Sequence, residues 1–453
     1  MKSVFRPALL ASAVAALLVA SLPTWASESM VDASLSNPMH RYIGDRLLVQ
    51  FKPGQAAPER EELLKRFGAR TLRVLRGVMG DTTRGETHLI KLPAGLTVPA
   101  AIQALRGHPA LQLAEPDWEL TLHQVPNDPY VSDGRLWGYY GDANPGARNA
   151  YGSQAAEAYD AGSKCRKSVI VGIIDEGVMN THPDTKANIW VNPFEIAGNG
   201  IDDDRNGHVD DVNGWDFLHD EKTTFDGVTD DHGTHVSGTI GAVANNGIGI
   251  AGVCNKVKMI TAKFLQGTGA TSDAIDAINY ITDLKLRHGL NIVATNNSWG
   301  GGGYSTPLKN AIEDAGEADI VFVAAAGNSA QNNDNSPSYP AAYDSPSIIS
   351  VAALTSSGAR WSGSNWGKVS VDIGAPGGGI WSTVPSRSGA SYASYSGTSM
   401  AAPHVTGAVA LYASLHPGKT AAQIKAAILA AAVPTTSMSG ITVTGGRLDV
   451  SGF

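Results

Sequence analysis

Apolar runs of strand length alternate with stretches of helical character along most of this 453-residue chain. Residues 168–174 and 320–325 are rich in β-branched and small apolar residues, a pattern typical of parallel strands buried on both faces. Residues 233–243 and 400–414 are rich in Ala, Gly, Val and Ser and predict helices that pack closely on such strands. The alternation predicts an α/β domain whose central sheet is mostly parallel.

The region before that domain has a different pattern. Between residues 41 and 123, short segments typical of strands are separated by segments of helical character. The predicted strands cover residues 45–51, 87–92 and 111–117. The predicted helices cover residues 58–67 and 99–105. This order of elements predicts a small α+β unit.

The first residues have the features of an export signal. Lys2 and Arg6 precede an apolar stretch from about residue 8 to residue 22, and Thr24-Trp25-Ala26 provides the small residues of a cleavage site. We therefore expect a signal peptide over residues 1–26 and a secreted protein, extracellular or in transit through the periplasm. No later apolar run is long enough to span a membrane, and no cysteine follows the leader at the position of a lipoprotein cysteine, so no membrane anchor is expected.

Negative charge is concentrated in one part of the chain. Between Asp175 and Asp231 there are 15 acidic and 3 basic residues, which excludes a nucleic-acid partner and favours a cation such as calcium. Residues 202–207, Asp-Asp-Asp-Arg-Asn-Gly, match the first half of an EF-hand loop. Asn213 stands where an EF-hand has glutamate, so a solvated acidic turn is the alternative. The candidate ligands are Asp202, Asp204, Asn206, His208, Asp210 and Asp211.

Three segments carry a carboxylate, an imidazole and a hydroxyl. Asp175 ends the first predicted strand, and His232 and Ser399 stand at the starts of the two predicted helices. A serine hydroxyl becomes an effective nucleophile when an imidazole takes its proton and a buried carboxylate orients that imidazole. Each residue alone would be interpreted as a helix cap or a strand end, but the three together in this order indicate nucleophilic catalysis. Pro403 also indicates that the second helix begins nearby, because proline is tolerated only in about the first turn.

The motifs Asp175-Glu-Gly, Asp231-His-Gly-Thr-His and Gly397-Thr-Ser-Met-Ala make the chain resemble the subtilisin-type serine proteases, from about residue 126 to residue 450. The resemblance implies a subtilisin-like three-layer α/β fold. It also implies an acyl-enzyme mechanism and a set of catalytic residues consisting of Asp175, His232, Ser399 and, as the oxyanion donor, Asn328.

Two other classes of site are excluded by the residues. An α/β-hydrolase would have Gly-x-Ser-x-Gly, but Ala401 replaces the second glycine, and the order of the triad also differs. His232 and His235 form a His-x-x-His pair, but no glutamate lies between them and no third zinc ligand is evident. We therefore interpret His235 as a packed structural histidine.

The family resemblance implies further binding residues. An extended polypeptide substrate would lie between two backbone edges with broad sequence specificity, and the residues implied for these edges and for the base of the specificity pocket are Ser298, Trp299, Gly300, Gly267, Gly269 and Ser338. The implied tight calcium site consists of Asp128, Asp184, Ala244, Asn246, Ile248 and Ile250. Cys165 and Cys254 precede strands that are parallel neighbours in this family, which implies a disulfide, and two free buried thiols are the alternative.

The N-terminal unit resembles the propeptide of secreted subtilisins, which is a ferredoxin-like inhibitor and folding chaperone. We expect a propeptide over residues 27–123, with its core at about 41–123, and a catalytic domain over 124–453, with self-cleavage near residues 120–124. The expected partners are polypeptide substrates and the protein's own propeptide, and the enzyme is expected to be a monomer. The alternatives are a permanent accessory domain for the N-terminal unit, and a non-catalytic peptide-binding protein or an esterase for the whole chain.

Overall fold

The computed structural model describes residues 31–32, 34–35, 42–75, 85–118, 126–141 and 149–453. The chain divides into two compact units, Met1–Leu120 and Thr121–Phe453. The division falls close to the expected end of the propeptide. The predicted signal peptide and the predicted cleavage region at residues 120–124 lie outside the described residues.

The N-terminal unit contains a four-stranded antiparallel sheet with strand order β2-β3-β1-β4. Its strands and helices are β1 (Tyr42–Phe51), α1 (Ala57–Phe67), β2 (Arg70–Leu75), β3 (Thr87–Lys91), α2 (Val98–Leu105) and β4 (Leu111–Trp118). This βαββαβ arrangement agrees with the predicted ferredoxin-like unit.

The core of the N-terminal unit lies between one face of the sheet and the helices. Leu47, Val49 and Phe51 alternate along β1 and are fully buried, and Ile102 of α2 belongs to the same cluster. The sequence pattern misses β2 because its apolar side chains Leu72 and Val74 are exposed. This strand forms by pairing with β3 rather than by burying an apolar face.

The C-terminal unit is built on a nine-stranded sheet with strand order β16-β17-β13-β12-β11-β10-β5-β7-β6. Its strands, in chain order, are β5 (Ile170–Asp175), β6 (Gly214–Asp216), β7 (Lys258–Lys263), β10 (Ile292–Asn297), β11 (Val321–Ala325), β12 (Ile348–Leu354), β13 (Ile373–Pro376), β16 (Val433–Pro434) and β17 (Gly446–Arg447). Every pair is parallel except β16 with β17. The predicted α/β class with a mostly parallel sheet is confirmed.

Helices and two hairpins surround this sheet. The helices are α3 (Pro129–Ser132), α4 (Ala155–Asp160), α5 (Asp231–Gly241), α6 (Thr271–His288), α7 (Thr306–Glu317), α8 (Thr398–Leu415) and α9 (Ala421–Ala430), with 3-10 turns at Trp137–Tyr139 and Thr436–Met438. The hairpins are β8 (Leu265–Gln266) with β9 (Thr268–Gly269), and β14 (Ile380–Ser386) with β15 (Gly389–Tyr395). Within the described part of the chain, no helix combines the length and apolar character needed to cross a membrane.

Alternating side chains of the central strands pack into two separate hydrophobic cores. Val171 and Ile173 of β5 belong to the cluster that contains residues of α5 and α8, whereas Ile170 and Ile174 belong to the cluster that contains residues of α6 and α7. Because successive strand residues point to opposite faces, each central strand is apolar on both sides. The result is a three-layer arrangement, with helices on both faces of the sheet.

Candidate active site

Asp175 is the last residue of β5, and its carboxylate receives two hydrogen bonds at the carboxyl edge of the sheet. Nδ1 of His232 donates to Oδ1 of Asp175 at 2.8 Å, and the backbone N–H of Glu176 donates to the same oxygen at 2.8 Å. Asp175 is 2% exposed, and its Oδ2 has no hydrogen-bond partner among the described residues. The bond orients His232 with Nδ1 as the donor to Asp175, so Nε2 is the ring nitrogen that gains and loses a proton.

His232 is the second residue of α5, and acidic groups determine its protonation. Burial alone lowers the pKa of the imidazole, but the charge and hydrogen bond of Asp175, together with Glu176 and Asp231, raise it to about 9. The pKa of Glu176 is raised to about 7 by burial and by the charges of Asp175 and Asp231, against the hydrogen bond from the His232 backbone. The site therefore stabilises an imidazolium, which is the form that a general base reaches during catalysis.

Ser399 is the second residue of α8, at the helix end where free N–H groups favour a negative charge. Its Oγ donates to the backbone oxygen of Ser298 at 3.0 Å, and Oγ of Ser298 donates to the backbone oxygen of Ser399 at 2.8 Å. Among the described residues, Ser399 makes no hydrogen bond with His232. In this structure the hydroxyl donates to the Ser298 carbonyl rather than to the imidazole.

Pro403 lies further into the helix than the sequence pattern predicts. It is the sixth residue of α8, so it lies beyond the first turn. Because proline has no N–H, it cannot donate to the carbonyl of Ser399 four residues earlier. The Ser298 hydroxyl donates to that carbonyl instead. The helix thus continues through a proline because another segment supplies the missing donor.

Asn328 follows β11, and Thr398 fixes the orientation of its side chain. Oδ1 of Asn328 accepts the backbone N–H of Thr398 at 2.9 Å and the Thr398 hydroxyl at 2.8 Å. Oγ1 of Thr398 in turn accepts the backbone N–H of Gly327 at 3.1 Å. With Oδ1 engaged, Nδ2 of Asn328 is the donor that remains for a bound anion. Sequence reasoning did not identify Thr398, although it lies inside the Gly-Thr-Ser motif.

The residues expected to bind an extended peptide lie on two separate segments. Ser298, Trp299 and Gly300 follow β10, and Gly267 and Gly269 lie in the β8–β9 hairpin, where Gly267 has a φ of 70°. A positive φ of this size suits glycine in a tight turn.

Ser338 lies close in space to Gly300 and Gly327. A Cβ atom built on Gly300 would lie 3.7 Å from Oγ of Ser338, and one built on Gly327 would lie 3.1 Å from the same atom. Side chains at either glycine would therefore fill the space beside Ser338.

The implied tight calcium site brings together two fully buried carboxylates and one loop. Asp128 and Asp184 are 0% exposed, and no salt bridge within the described residues involves either of them. Asn246 donates to Asp184 at 2.7 Å, and the backbone N–H of Asn246 donates to Asp128 at 3.2 Å. Burial raises the pKa of Asp184 to about 6, and the charge of Asp128 adds to this effect. Two buried acids without a cationic partner fit a calcium ion.

The backbone groups expected to complete that site lie in the same loop. Ile250 donates its N–H to Asp184 at 2.9 Å, and Ile248 donates its N–H to Oδ1 of Asn246 at 2.9 Å. Ala244 lies at the start of this loop, after the end of α5. The three residues predicted to supply carbonyl ligands therefore belong to one short loop, and backbone N–H groups of this loop contact both carboxylates.

The acidic loop at residues 202–211 brings together only part of the predicted ligand set. Single carboxylate oxygens of Glu195, Asp204 and Asp211 lie within 4.8 Å of one another. Glu195 was not in the predicted set, because it precedes the loop in sequence. Asn206 donates to both Asp204 and Asp211, at 3.3 and 2.8 Å.

Other members of that set have different contacts. Asp210 forms a salt bridge with Lys222 at 2.7 Å, and both oxygens of Asp202 accept backbone N–H groups of the same turn. The His208 ring packs against Trp215, with ring centroids 4.7 Å apart. A cation in this loop would therefore be held by Glu195, Asp204 and Asp211.

His235 occupies the position expected of a structural histidine. It is 0% exposed, its Nε2 donates to the backbone oxygen of Ile380 at 2.9 Å, and its ring stacks on Tyr395 with centroids 4.6 Å apart. Burial lowers its pKa to about 3. The ring is neutral at physiological pH and packs in the core.

Cys165 and Cys254 form a disulfide with Cα atoms 5.4 Å apart. The two residues precede β5 and β7, which are parallel neighbours in the sheet. The bridge therefore lies at the amino ends of these strands, whereas Asp175 lies at the carboxyl end of β5.

Comparisons with known proteins agree with this fold and site. The family model described as Subtilase family matches residues 166–447, which is more than half of the chain, and the model described as Fervidolysin N-terminal prodomain matches residues 28–117. A thermophilic serine proteinase of Bacillus sp. (strain AK1) is 31% identical over 403 residues, covering 88% of this chain and 85% of the relative. Thermitase of Thermoactinomyces vulgaris is 34% identical over 307 residues, covering 67% of this chain and 90% of the relative.

An extracellular protease of Xanthomonas campestris pv. campestris is 32% identical, covering 90% of this chain and 71% of the relative. Among solved structures, a protease of Pseudoalteromonas arctica PAMC 21717 aligns with a TM-score of 0.57 at 28% identity, covering 73% of this chain and 98% of that chain. The fold and these relatives define a subtilisin-type serine peptidase with an N-terminal prodomain. The chain belongs to the subtilase family.

Proposed function

We propose that this chain is a secreted serine endopeptidase of broad specificity, made as a self-processed precursor, with Asp175, His232 and Ser399 as its catalytic triad. The observation that carries the proposal is the 2.8 Å hydrogen bond between His232 Nδ1 and Asp175 Oδ1 at the carboxyl edge of the sheet. It holds the imidazole in the tautomer that a serine nucleophile requires.

The reaction begins when the Ser399 hydroxyl turns from the Ser298 carbonyl toward His232. Nε2 of His232 removes the proton as Oγ of Ser399 forms a bond to the peptide carbonyl carbon. The imidazolium, stabilised by Asp175, then gives this proton to the leaving amine as the C–N bond breaks. Water, activated by the same histidine, hydrolyses the acyl-enzyme and restores the serine. A hydroxyl that is not bonded to the base in the free enzyme is compatible with this sequence, because catalytic hydrogen bonds often tighten only with substrate.

The negative oxygen of the tetrahedral intermediate would bind between Nδ2 of Asn328 and the backbone N–H of Ser399. Thr398 supports this role, since it engages the other end of the Asn328 amide. The peptide would lie as an extended strand between residues 298–300 and 267–269. Backbone hydrogen bonds of this kind do not depend on sequence, so we expect broad specificity.

The N-terminal unit would act as inhibitor and folding chaperone before it is removed near residues 120–124. Its match to a fervidolysin prodomain supports this role. Export by the leader at residues 1–26 is supported by the Xanthomonas relative, which is named an extracellular protease. The protease would therefore be inactive during export and active after self-cleavage.

Calcium would stabilise the mature enzyme without taking part in catalysis. Asp128, Asp184 and Asn246 would hold one ion together with the carbonyl groups of residues 244, 248 and 250, and Glu195, Asp204 and Asp211 would hold a second. When bound, the first ion supplies the positive charge that the buried carboxylates of Asp128 and Asp184 otherwise lack. Binding would link three separate segments and favour the native state by mass action.

The test compares the wild type with Ser399→Ala, and uses Ser388→Ala as an exposed control. The wild type and the control should lose the N-terminal unit, digest casein and be labelled by a fluorophosphonate probe at Ser399. The Ser399→Ala variant should remain an unprocessed precursor without label. Labelling of a residue other than Ser399, or processing of the Ser399→Ala precursor in pure form, would contradict the proposal.

A further inference from the structure

Glu176 directly follows Asp175 and reaches across to the helix that carries His232. It is 8% exposed, and its Oε1 accepts the backbone N–H of His232 at 2.7 Å. This N–H lies in the first turn of α5, where backbone donors have no partner within the helix. A carboxylate at this end of a helix is also favoured by the helix dipole. Glu176, immediately after the end of β5, thus stabilises the start of α5.

The helix needs this outside acceptor because its own N-cap residue is engaged elsewhere. Asp230 makes no side-chain cap to α5. Its Oδ1 instead accepts Nζ of Lys263 at 2.8 Å, and its Oδ2 accepts the backbone N–H of Asp226 at 2.6 Å. Glu176 supplies the acceptor that Asp230 does not.

The charged and titratable groups facing Glu176 are mostly acidic. They are Asp175 at the end of β5, Asp231 and His232 on α5, and Tyr395 on β15, whose phenol donates to Asp231. The nearest basic side chain on the adjacent strand, Lys263, is taken up by salt bridges to Asp226 and Asp230. Within the described residues, no salt bridge neutralises Glu176, so His232 is the cation toward which its charge acts.

We propose that Glu176 is a positioning residue of the catalytic site, a second carboxylate that holds the His232 backbone and favours the imidazolium formed when Ser399 is deprotonated. The inference rests on the proposed serine-protease function and deepens it. Its consequence is that the charge of Glu176, as well as that of Asp175, sets the pH range of activity.

The titration of these groups supports this consequence. Burial and the neighbouring acids raise the pKa of Glu176 to about 7, so its charge changes across the neutral range. Protonation of Glu176 removes one of the negative charges that raise the pKa of His232. Since Glu176 and His232 interact, the acidic limb of the activity profile reports their joint titration rather than that of His232 alone.

Two substitutions separate the charge of Glu176 from its hydrogen bond. Glu176→Gln keeps an oxygen acceptor for the His232 N–H and removes the charge. Glu176→Asp keeps the charge, and its shorter side chain weakens the hydrogen bond. We expect Gln to move the acidic limb of kcat/KM to lower pH by roughly one unit with little change in melting temperature. We expect Asp to leave the limb in place and to lower the melting temperature.

The measurement is a profile of kcat/KM from pH 5 to 10 on the mature enzymes with an uncharged peptide anilide, after active-site titration with a fluorophosphonate. An acidic limb that coincides in the wild type and Glu176→Gln would overturn the inference while leaving the protease function intact. A wild type that is neither labelled at Ser399 nor active would overturn the proposed function, and the inference with it. The melting temperatures of both variants show whether a loss of activity reflects the fold.

Discussion

Ser298 and Ser399 exchange hydrogen bonds through their side chains and backbones. Oγ of Ser298 donates to the Ser399 carbonyl at 2.8 Å, and Oγ of Ser399 donates to the Ser298 carbonyl at 3.0 Å. The first bond replaces the helical hydrogen bond that Pro403 cannot donate. The segment after β10 is thereby joined to the start of α8.

Substitution of Ser298 tests the value of this junction. In a Ser399→Ala background, which prevents self-digestion, Ser298→Ala leaves the carbonyl at position 399 without its donor. We expect the free energy of unfolding in urea to fall by about 1–2 kcal/mol. Ser386→Ala, which removes a hydroxyl from an exposed pair, should change it by less than about 0.5 kcal/mol. Equal effects of the two substitutions would show that the junction does not stabilise the helix.

Asn328 and Thr398 should make unequal contributions to catalysis. Asn328→Ala removes the side-chain donor to the oxyanion, so we expect kcat to fall by about 10²–10³-fold with little change in KM. Thr398→Val keeps the backbone donor to Asn328 but loses the hydroxyl that helps to orient it, and we expect a fall in kcat of about tenfold. Steady-state kinetics on a peptide anilide measures both, with the exposed residue Asn335→Ala as control. A Thr398→Val loss as large as that of Asn328→Ala would contradict an indirect role.

Removal of calcium should lower the melting temperature of the mature enzyme. A ligand at one hundred times its dissociation constant adds about 2.7 kcal/mol to the stability of the native state. We therefore expect excess EDTA to lower the melting temperature of the Ser399→Ala catalytic unit, refolded with its N-terminal unit supplied in trans. Asp184→Asn and Glu195→Gln should each remove part of this response.

The exposed residue Asp314→Asn provides the control for a simple loss of negative charge. It should respond to EDTA as the parent does. An unchanged melting temperature of the parent in EDTA would contradict both calcium sites, and a full response in Asp184→Asn would contradict the first.

Acid should destabilise the fold through its buried histidines. Burial lowers the pKa of His235 to about 3 and that of His404 to about 4, below the ordinary value of 6.5. Between about pH 6.5 and 4 the unfolded chain therefore binds protons at these two histidines that the folded chain excludes, so the stability that the two neutral rings contribute is lost as the pH falls through this window. Unfolding of the Ser399→Ala protein in urea at pH 7.5 to 4.5 measures this loss.

His404→Asn provides the comparison, because the asparagine amide can still donate to the Met400 carbonyl that His404 Nδ1 contacts. The slope of unfolding free energy against pH is proportional to the number of protons taken up on unfolding. We expect this number to fall by up to one in the His404→Asn protein within this window. An identical slope in the two proteins would mean that His404 does not contribute to acid destabilisation.

The parts of the fold that depend on local pattern could be predicted from sequence. The apolar runs at residues 168–174 and 320–325 correspond to β5 and β11, because strands buried on both faces are apolar at every position. The stretches that begin at Gly233 and Met400 correspond to α5 and α8. The family and its mostly parallel sheet are confirmed, and the implied Cys165–Cys254 bridge is present.

The contacts that join distant segments could not be predicted in the same way. The hydrogen bonds of Thr398 with Asn328 and of Glu176 with His232 depend on which loops meet at the edge of the sheet. Likewise, Asp210 belongs to the same acidic motif as Asp204, but its partner is Lys222, which only the folded loop brings near. Motifs identify the chemical groups, whereas tertiary structure decides their partners.

The position of the disulfide offers a practical use. Cys165 and Cys254 lie before the amino ends of β5 and β7, whereas Asp175 is the last residue of β5, a six-residue strand about 17 Å long. A linker attached beside this bridge would anchor the molecule to a solid support with its reactive edge turned outward. The same sheet that assembles the triad thus provides a remote point for immobilisation.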